Sequence, residues 1–304
     1  YTVASSATTT ANITQREVEV TAPTLKSGTL TYTGSNQNIS GSAGSCTTGG
    51  TMYYYTKNYT TTSAPTFSAS SSDWTTTYPT TINVSSARTY YLWYYCYVSD
   101  TTNNKAASGS SINTALSVTK AIGKKSPTLS VTDASKALTY KTAGENAYSY
   151  DGDGTVTCES GDTSYVTCSV DTTNKKIIIT PVKATTSAVT ITVKAGAGSN
   201  YSAATNKTFT VTVAKKTLTP TVTASNKEYD GTTSATCGST VTLTGIVSGD
   251  SVTATASTTG AFASAGVGNG KTVTCSSITL AGTDKDNYTV ASSATTTANI
   301  TQRE

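Results

Sequence analysis

Residues 89–98 read TYYLWYYCYV. Aromatic and β-branched side chains in this density suit a pleated, half-buried surface. Successive side chains of a strand point to opposite faces. Tyr90, Leu92, Tyr94, Cys96 and Val98 therefore share one face, and Tyr91, Trp93, Tyr95 and Tyr97 share the other. One face must pack inward. A paired Cys96 favours the even set as core, while the aromatic odd set competes for the same role.

The same period of two recurs outward from this stretch. VTITV at 189–193, FTVTV at 209–213 and VTLTG at 241–245 all alternate, which is the pattern of half-buried strands. No long stretch carries the i, i+3, i+4 spacing of an amphipathic helix. Thr, Ser, Val, Gly and Ala dominate, and tyrosine supplies 19 of the aromatic residues beside 3 Phe and 2 Trp. The chain therefore reads as all-β, and its 304 residues suffice for roughly two or three domains.

Composition also excludes function classes. There is no histidine, which removes Ser-His-Asp and Cys-His catalysis and the commonest zinc ligand. The net charge of +4 is spread thinly. Lys-Lys pairs at 124–125 and 215–216 fall at the domain junctions drawn below, and a third lies at 175–176. No basic patch points to nucleic acid. No apolar run approaches the ~20 residues that span a bilayer. The chain opens at Tyr1 with no secretion leader, so it reads as a fragment or a mature segment.

The sequence YTVASSATTTANITQRE stands at residues 1–17 and again at 288–304, an offset of 287 residues. A long exact self-similarity is the mark of a repeat architecture. Residues 1–17 then read as the closing strand of a preceding domain, since the second copy closes the last one. Three further domains follow at 18–125, 126–216 and 217–304. Expected strands include residues 29–33, 51–55, 80–84 and 108–119 in the first. In the second, residues 154–171 read as strand, turn, strand, followed by strands at 176–181, 188–193 and 208–213. No linker of Pro, Gly and Ser separates the domains, so closing strands should pass almost directly into the next domain, as in a stiff rod.

Three resemblances attach to these domains. Residues 18–125 contain APTLKSGTLTYTGSNQNI, GGTMYYYT, ARTYYLWYYCYVSDTTNN and ALSVTKA. Together they resemble the short Ig-like repeats of large bacterial surface proteins, from which Cys46 and Cys96 depart. Residues 126–216 contain TVTCESGDTSYVTCSVDTTNKKIIITPV and resemble bacterial Ig-like repeats of the Big type. Residues 217–304 carry EYDGTT at 228–233, SGDSV at 248–252, Phe262, GNGKTV at 268–273, ITLAG at 278–282 and DNY at 286–288. This ordered set is similar to the YDG domain of bacterial adhesins, with Tyr229, Asp230 and Gly231 as the motif. Asp-Gly suits a tight turn, beneath which the tyrosine can pack. The resemblances imply tandem Ig-like β-sandwich domains in an extended rod.

The six cysteines contain no CxxC and allow 15 pairings. The domain boundaries place two in each domain, which favours Cys46–Cys96, Cys158–Cys168 and Cys237–Cys275. Paired, evenly distributed cysteines imply an oxidising, extracellular setting.

Other candidate sites are sparse. DGDG at 151–154 begins like a calcium loop, but an EF-hand needs flanking helices and a Glu where Asp162 stands. Asp151 and Asp153, and likewise Asp284 and Asp286, are weak calcium candidates for which a turn is the simpler reading. The ladder Tyr91, Trp93, Tyr95 and Tyr97, with Tyr53, Tyr54 and Tyr55, would suit a glycan platform if exposed and cross-strand packing if covered. Asn38, Asn58 and Asn206 head glycosylation sequons. No carboxylate pair, phosphate loop or activated nucleophile stands out, so no enzyme and no cofactor are expected.

The expected function is mechanical: a repeat unit of a bacterial surface fibre or adhesin stalk, outside the cell. Its partners would be adjacent repeats of the same chain or fibre, with a host glycan or protein met at a distal tip. Two rivals stand beside it. One is an adhesin module that binds carbohydrate or host protein through the aromatic strand. The other is a subunit of a filament assembled by strand exchange through residues 1–17.

Overall fold

The computed structural model describes residues 1, 6 and 8–304. Apart from one short 3-10 turn at Lys285–Asn287, every regular element among them is a β-strand. The chain divides into two compact units. The first holds residues 1–127 with segments 152–154 and 197–203, and the second holds the remainder.

Unit 1 is a β-sandwich built on Thr89–Tyr97, the centre of a five-stranded sheet. Its order is Leu30–Thr31, Ala115–Gly123, Thr89–Tyr97, Thr51–Tyr55, Trp74–Thr75. Leu30–Thr31 joins in parallel and the other neighbours are antiparallel. The even set faces the core: Tyr90, Leu92 and Tyr94 pack with Ile39, Ile82 and Val84, and Cys96 and Val98 pack with Val18. Tyr91, Trp93 and Tyr95 of the odd set are covered as well. The 59–74 segment lies over that face, with Tyr91 N–H donating to Tyr59 O (2.7 Å) and Trp93 Nε1 to Thr61 O (2.9 Å). Phe67 stacks on Tyr95 at 3.9 Å between centroids, and Trp74 meets Phe67 edge-on. Both faces of one strand are thus occupied.

Unit 2 holds two sandwiches. In the first, Leu129–Val131, Gly144–Tyr150, Lys176–Pro181 and Val166–Asp171 form one sheet. Ser135–Thr139, Lys207–Ala214, Val189–Ala195 and Val156–Ser160 form the other. The chain changes sheets between 131 and 135. Its freed backbone there is satisfied by the fully buried Asn146, whose Oδ1 accepts Asp133 N–H and whose Nδ2 donates to Asp133 O. A buried peptide group without such a partner would cost about 1–3 kcal/mol. The expected hairpin over residues 154–171 is not formed. Val156–Ser160 pairs with Val189–Ala195, and Val166–Asp171 pairs with Lys176–Pro181. The intervening turn crosses between sheets, which alternation alone cannot show.

The second sandwich has two five-stranded sheets, centred on Thr240–Thr244 and Gly268–Ser276. Its closing segment is not one strand. Tyr288–Val290 pairs in parallel with Lys216–Thr221, and Ser293–Thr301 pairs with Gly268–Ser276 in the other sheet. Leu218, Val252 and Tyr288 belong to the same apolar cluster as the first sandwich's Ile177, Val193 and Val213. The core of unit 2 therefore runs on from one sandwich into the next.

The two copies of the 17-residue repeat differ in structure. Ile300 is 1% exposed and Ile13, its counterpart, is 96% exposed. Residues 8–15 form no strand, and Arg16–Val18 pairs in parallel with Asn104–Ala106. The expected closing strand over 1–17 lies partly outside the described residues. Identical sequence with different neighbours gives different structure, because a strand is stabilised by its partners.

Candidate functional site: disulfide staples and tyrosine junctions

All six cysteines are paired as expected: Cys46–Cys96, Cys158–Cys168 and Cys237–Cys275. The first ties the Ser45–Cys46 edge to the central Thr89–Tyr97 strand. The second joins two strands that end opposite sheets, and so clasps the open side of that sandwich. The third passes over Gly260 in the intervening strand, whose neighbours are Ala235 and Cys275. A Cβ at Gly260 would lie 2.4 Å from Cys237 Sγ and 2.8 Å from Thr274 O. Gly260→Ala is therefore expected to obstruct this bridge. Thiol titration of the unfolded, unreduced variant should find two free thiols per chain, and loss of the cross-link should cost about 4 kcal/mol. Full oxidation with unchanged stability would contradict the packing.

The Tyr229-Asp230-Gly231 motif forms a locked turn. Asp230 Oδ1 accepts Lys227 Nζ at 2.7 Å, and both the N–H and the hydroxyl of Thr232 at 2.9 Å. The Lys227 ammonium and the Thr232 donors hold the Asp230 carboxyl well below the usual carboxylate range. Gly231 takes φ +77°, a conformation other residues adopt at a cost. Tyr229 does not pack beneath the turn. It stands 44% exposed, with its N–H donating to Thr301 O at 2.9 Å.

Two constellations, one buried and one half-buried, share one plan. In unit 2, Leu138 and Thr139 pair in parallel with Val213 and Ala214, and Tyr140 N–H donates to Ala214 O. Two residues on, Lys216 pairs with Tyr288. Tyr140 and Tyr288 meet edge-on, 5.5 Å apart at 77°. Asn287 Oδ1 accepts Ala184 N–H at 3.0 Å. In unit 1, Leu30 and Thr31 pair in parallel with Ile122 and Gly123, and Tyr32 N–H donates to Gly123 O. Two residues on, Lys125 pairs with Tyr201. Tyr32 and Tyr201 meet edge-on, again 5.5 Å apart at 77°. Asn200 Oδ1 accepts Ala87 N–H at 2.9 Å.

The carboxylate of each constellation is placed differently. Asp250 Oδ2 accepts both the Tyr140 and Tyr288 hydroxyls, and Val247 N–H donates to Tyr288 Oη. Burial, then the Asp250 carboxylate, pushes both phenols above their ordinary value. Asp153 instead takes the backbone N–H groups of Asn200 and Tyr201. Edge-on aromatic pairs of this kind add about 0.5–1.5 kcal/mol beyond their burial.

The remaining candidates sit apart from these constellations. Trp93 is buried, Tyr91 and Tyr95 are half-buried, and Tyr97 is partly exposed. A ring face of Tyr95 is already taken by Phe67. Asp151 Oδ1 accepts Thr128 N–H, and Asp284 Oδ2 accepts Ser251 N–H. Asp286 is exposed in the 3-10 turn. Among the described residues, no three His, Cys, Asp or Glu side chains gather as a metal site. Tyr140, Tyr201 and Asp250 escaped the sequence reading. The signal was there: LTY recurs at 30–32 and 138–140, and NY at 200–201 and 287–288.

Residues 214–298 match the family model of the YDG domain, covering the motif at Tyr229. No curated protein matches the chain. Among solved structures, Sidekick-1 immunoglobulin domains 1–5 align at 8% identity and TM-score 0.36, over 95% of this chain and 60% of that one. Domains 4 and 5 of the S-layer protein SbsC align at 13% identity and TM-score 0.27, over 66% of this chain and 98% of that one. The chain spans less than two thirds of the Sidekick-1 structure.

Proposed function

We propose that this chain is a non-catalytic structural repeat unit of an extracellular bacterial surface fibre or adhesin stalk. The observation that carries the reading is the exact recurrence of residues 1–17 at 288–304. Three disulfides support an oxidising location. The first two domains fit Ig-like repeats, the second of the Big type. Each sandwich carries one cross-link, so each resists extension. Length comes from repetition. The reading is tested by mass: the native polypeptide, fully denatured, should run at several multiples of the 287-residue period.

A second reading is favoured by one contrast. Tyr1 and Ile13 are exposed, whereas their counterparts Tyr288 and Ile300 are buried. A filament of separate subunits would arise if residues 1–17 of one chain replaced 288–304 in another. That exchange swaps identical contacts, so it gains no pairing energy. Its polypeptide would run at one period. Glycan binding by Trp93 and Tyr95 lacks comparable support, because the 59–74 segment covers both rings.

A further inference from the structure

Two exposed apolar residues stand at one end of the last sandwich. Tyr229 is 44% exposed and Val267 is 50% exposed. Both flank the end of Ser293–Thr301: Gly268, next to Val267, pairs with Ile300, and Tyr229 N–H donates to Thr301 O.

Tyr229 holds the place that Tyr32 and Tyr140 hold in the two constellations. Lys227 and Glu228 pair in parallel with Ile300 and Thr301, as Leu138 and Thr139 pair with Val213 and Ala214. In both cases the residue two beyond the accepting carbonyl is a lysine, paired with the tyrosine of an Asn-Tyr step. Two beyond Thr301 is Arg303, and Thr301-Gln302-Arg303 is identical to Thr14-Gln15-Arg16. Arg16 pairs in parallel with Asn104, and its N–H donates to Asn103 O at 2.8 Å. Lys125 N–H likewise donates to Asn200 O. Asn103-Asn104 therefore occupies the Asn-Tyr place, with Asn103 exposed. One half of the constellation stands at each end of the 287-residue period.

We propose that Tyr229, with Val267, docks on the Arg16, Asn103 and Asn104 face of a second copy of this chain, following it in tandem. The motif tyrosine is then the third of a series of docking tyrosines. Asn103 Oδ1 accepts a backbone N–H near Val267, as Asn200 Oδ1 accepts Ala87 N–H. This inference rests on the repeat reading.

The test uses a two-copy chain, residues 1–304 followed directly by a second 18–304. Tyr229→Trp is placed in the first copy or in the second. The native Trp74 and Trp93 are buried and contribute little background. Acrylamide quenching of the added tryptophan should be severalfold weaker in the first copy than in the second. Tyr229→Ala provides a check free of the larger ring: it should lower the thermal midpoint in the first copy and leave it unchanged in the second. Equal quenching and equal midpoints at the two positions would overturn the docking. If the native polypeptide nevertheless runs at many periods, the repeat reading survives that result. A native polypeptide of one period overturns the repeat reading itself.

Discussion

Tyr288→Ala should destabilise unit 2 by about 3–5 kcal/mol, the range for removing a buried aromatic ring. Tyr288 is 2% exposed and packs edge-on against Tyr140. Its hydroxyl also accepts Val247 N–H and donates to Asp250. Tyr288→Phe keeps the ring and leaves Val247 N–H without that acceptor, so it should cost about 1–3 kcal/mol. The apolar cluster shared by the two sandwiches makes one unfolding transition of unit 2 the expectation for the native sequence. The alanine variant should separate it into two.

The same site sets an alkaline limit. Folded Tyr140 and Tyr288 hold their protons above the ordinary phenol value of 10.0. Above about pH 10 the unfolded chain therefore binds fewer protons than the folded one, and stability falls as pH rises. Below pH 10 this contribution is fully present. Urea unfolding from pH 8 to 11 measures it, with Tyr140→Phe and Tyr288→Phe flattening the slope. A Tyr288→Ala change within about 0.5 kcal/mol of the native protein, the range of ordinary surface substitutions, would contradict the junction.

The second large effect lies in the cross-links. Replacing Cys46 and Cys96 with serine should cost about 4 kcal/mol, and Cys237 with Cys275 nearly the same, against about 2.7 kcal/mol for Cys158 with Cys168. The ranking follows loop length, since the bridges close 50, 38 and 10 residues. Under load the contrast is larger. Each closed loop is withheld from extension until its bridge is reduced. At roughly 3.4 Å per residue, reduction should lengthen the three unfolding steps by about 170, 130 and 35 Å. Single-molecule stretching with and without reductant reads these increments directly. Step lengths indifferent to reductant would show that the bridges do not bear on extension.

Strand identity was legible where it is a local property. Thr51–Tyr55 and Lys176–Pro181 have the bounds that alternation predicts. The cysteine pairs followed from two per domain. Strand partnership was not legible. Residues 154–171 looked like a hairpin because period two is the same whichever sheet a strand joins. The 17-residue repeat makes the point within one chain, since Ile13 and Ile300 share a sequence context and differ in burial. The junctions were hidden for another reason. Tyr140, Asp250 and Tyr288 are distant in sequence, and only the fold places the two hydroxyls on Asp250. Tyr229 was legible as a motif and misjudged as buried, because the carbonyl that holds it belongs to Thr301.

The central claim is that this chain is one period of a repeated structural polypeptide. Denaturing electrophoresis of the native material, with and without reductant, tests it most directly. A species far heavier than 31.1 kDa in both lanes is the predicted result. A single band near one period under denaturant alone would contradict it and point to subunits held by strand exchange. Collapse to one period only with reductant would contradict it differently, by showing cysteines that join separate chains.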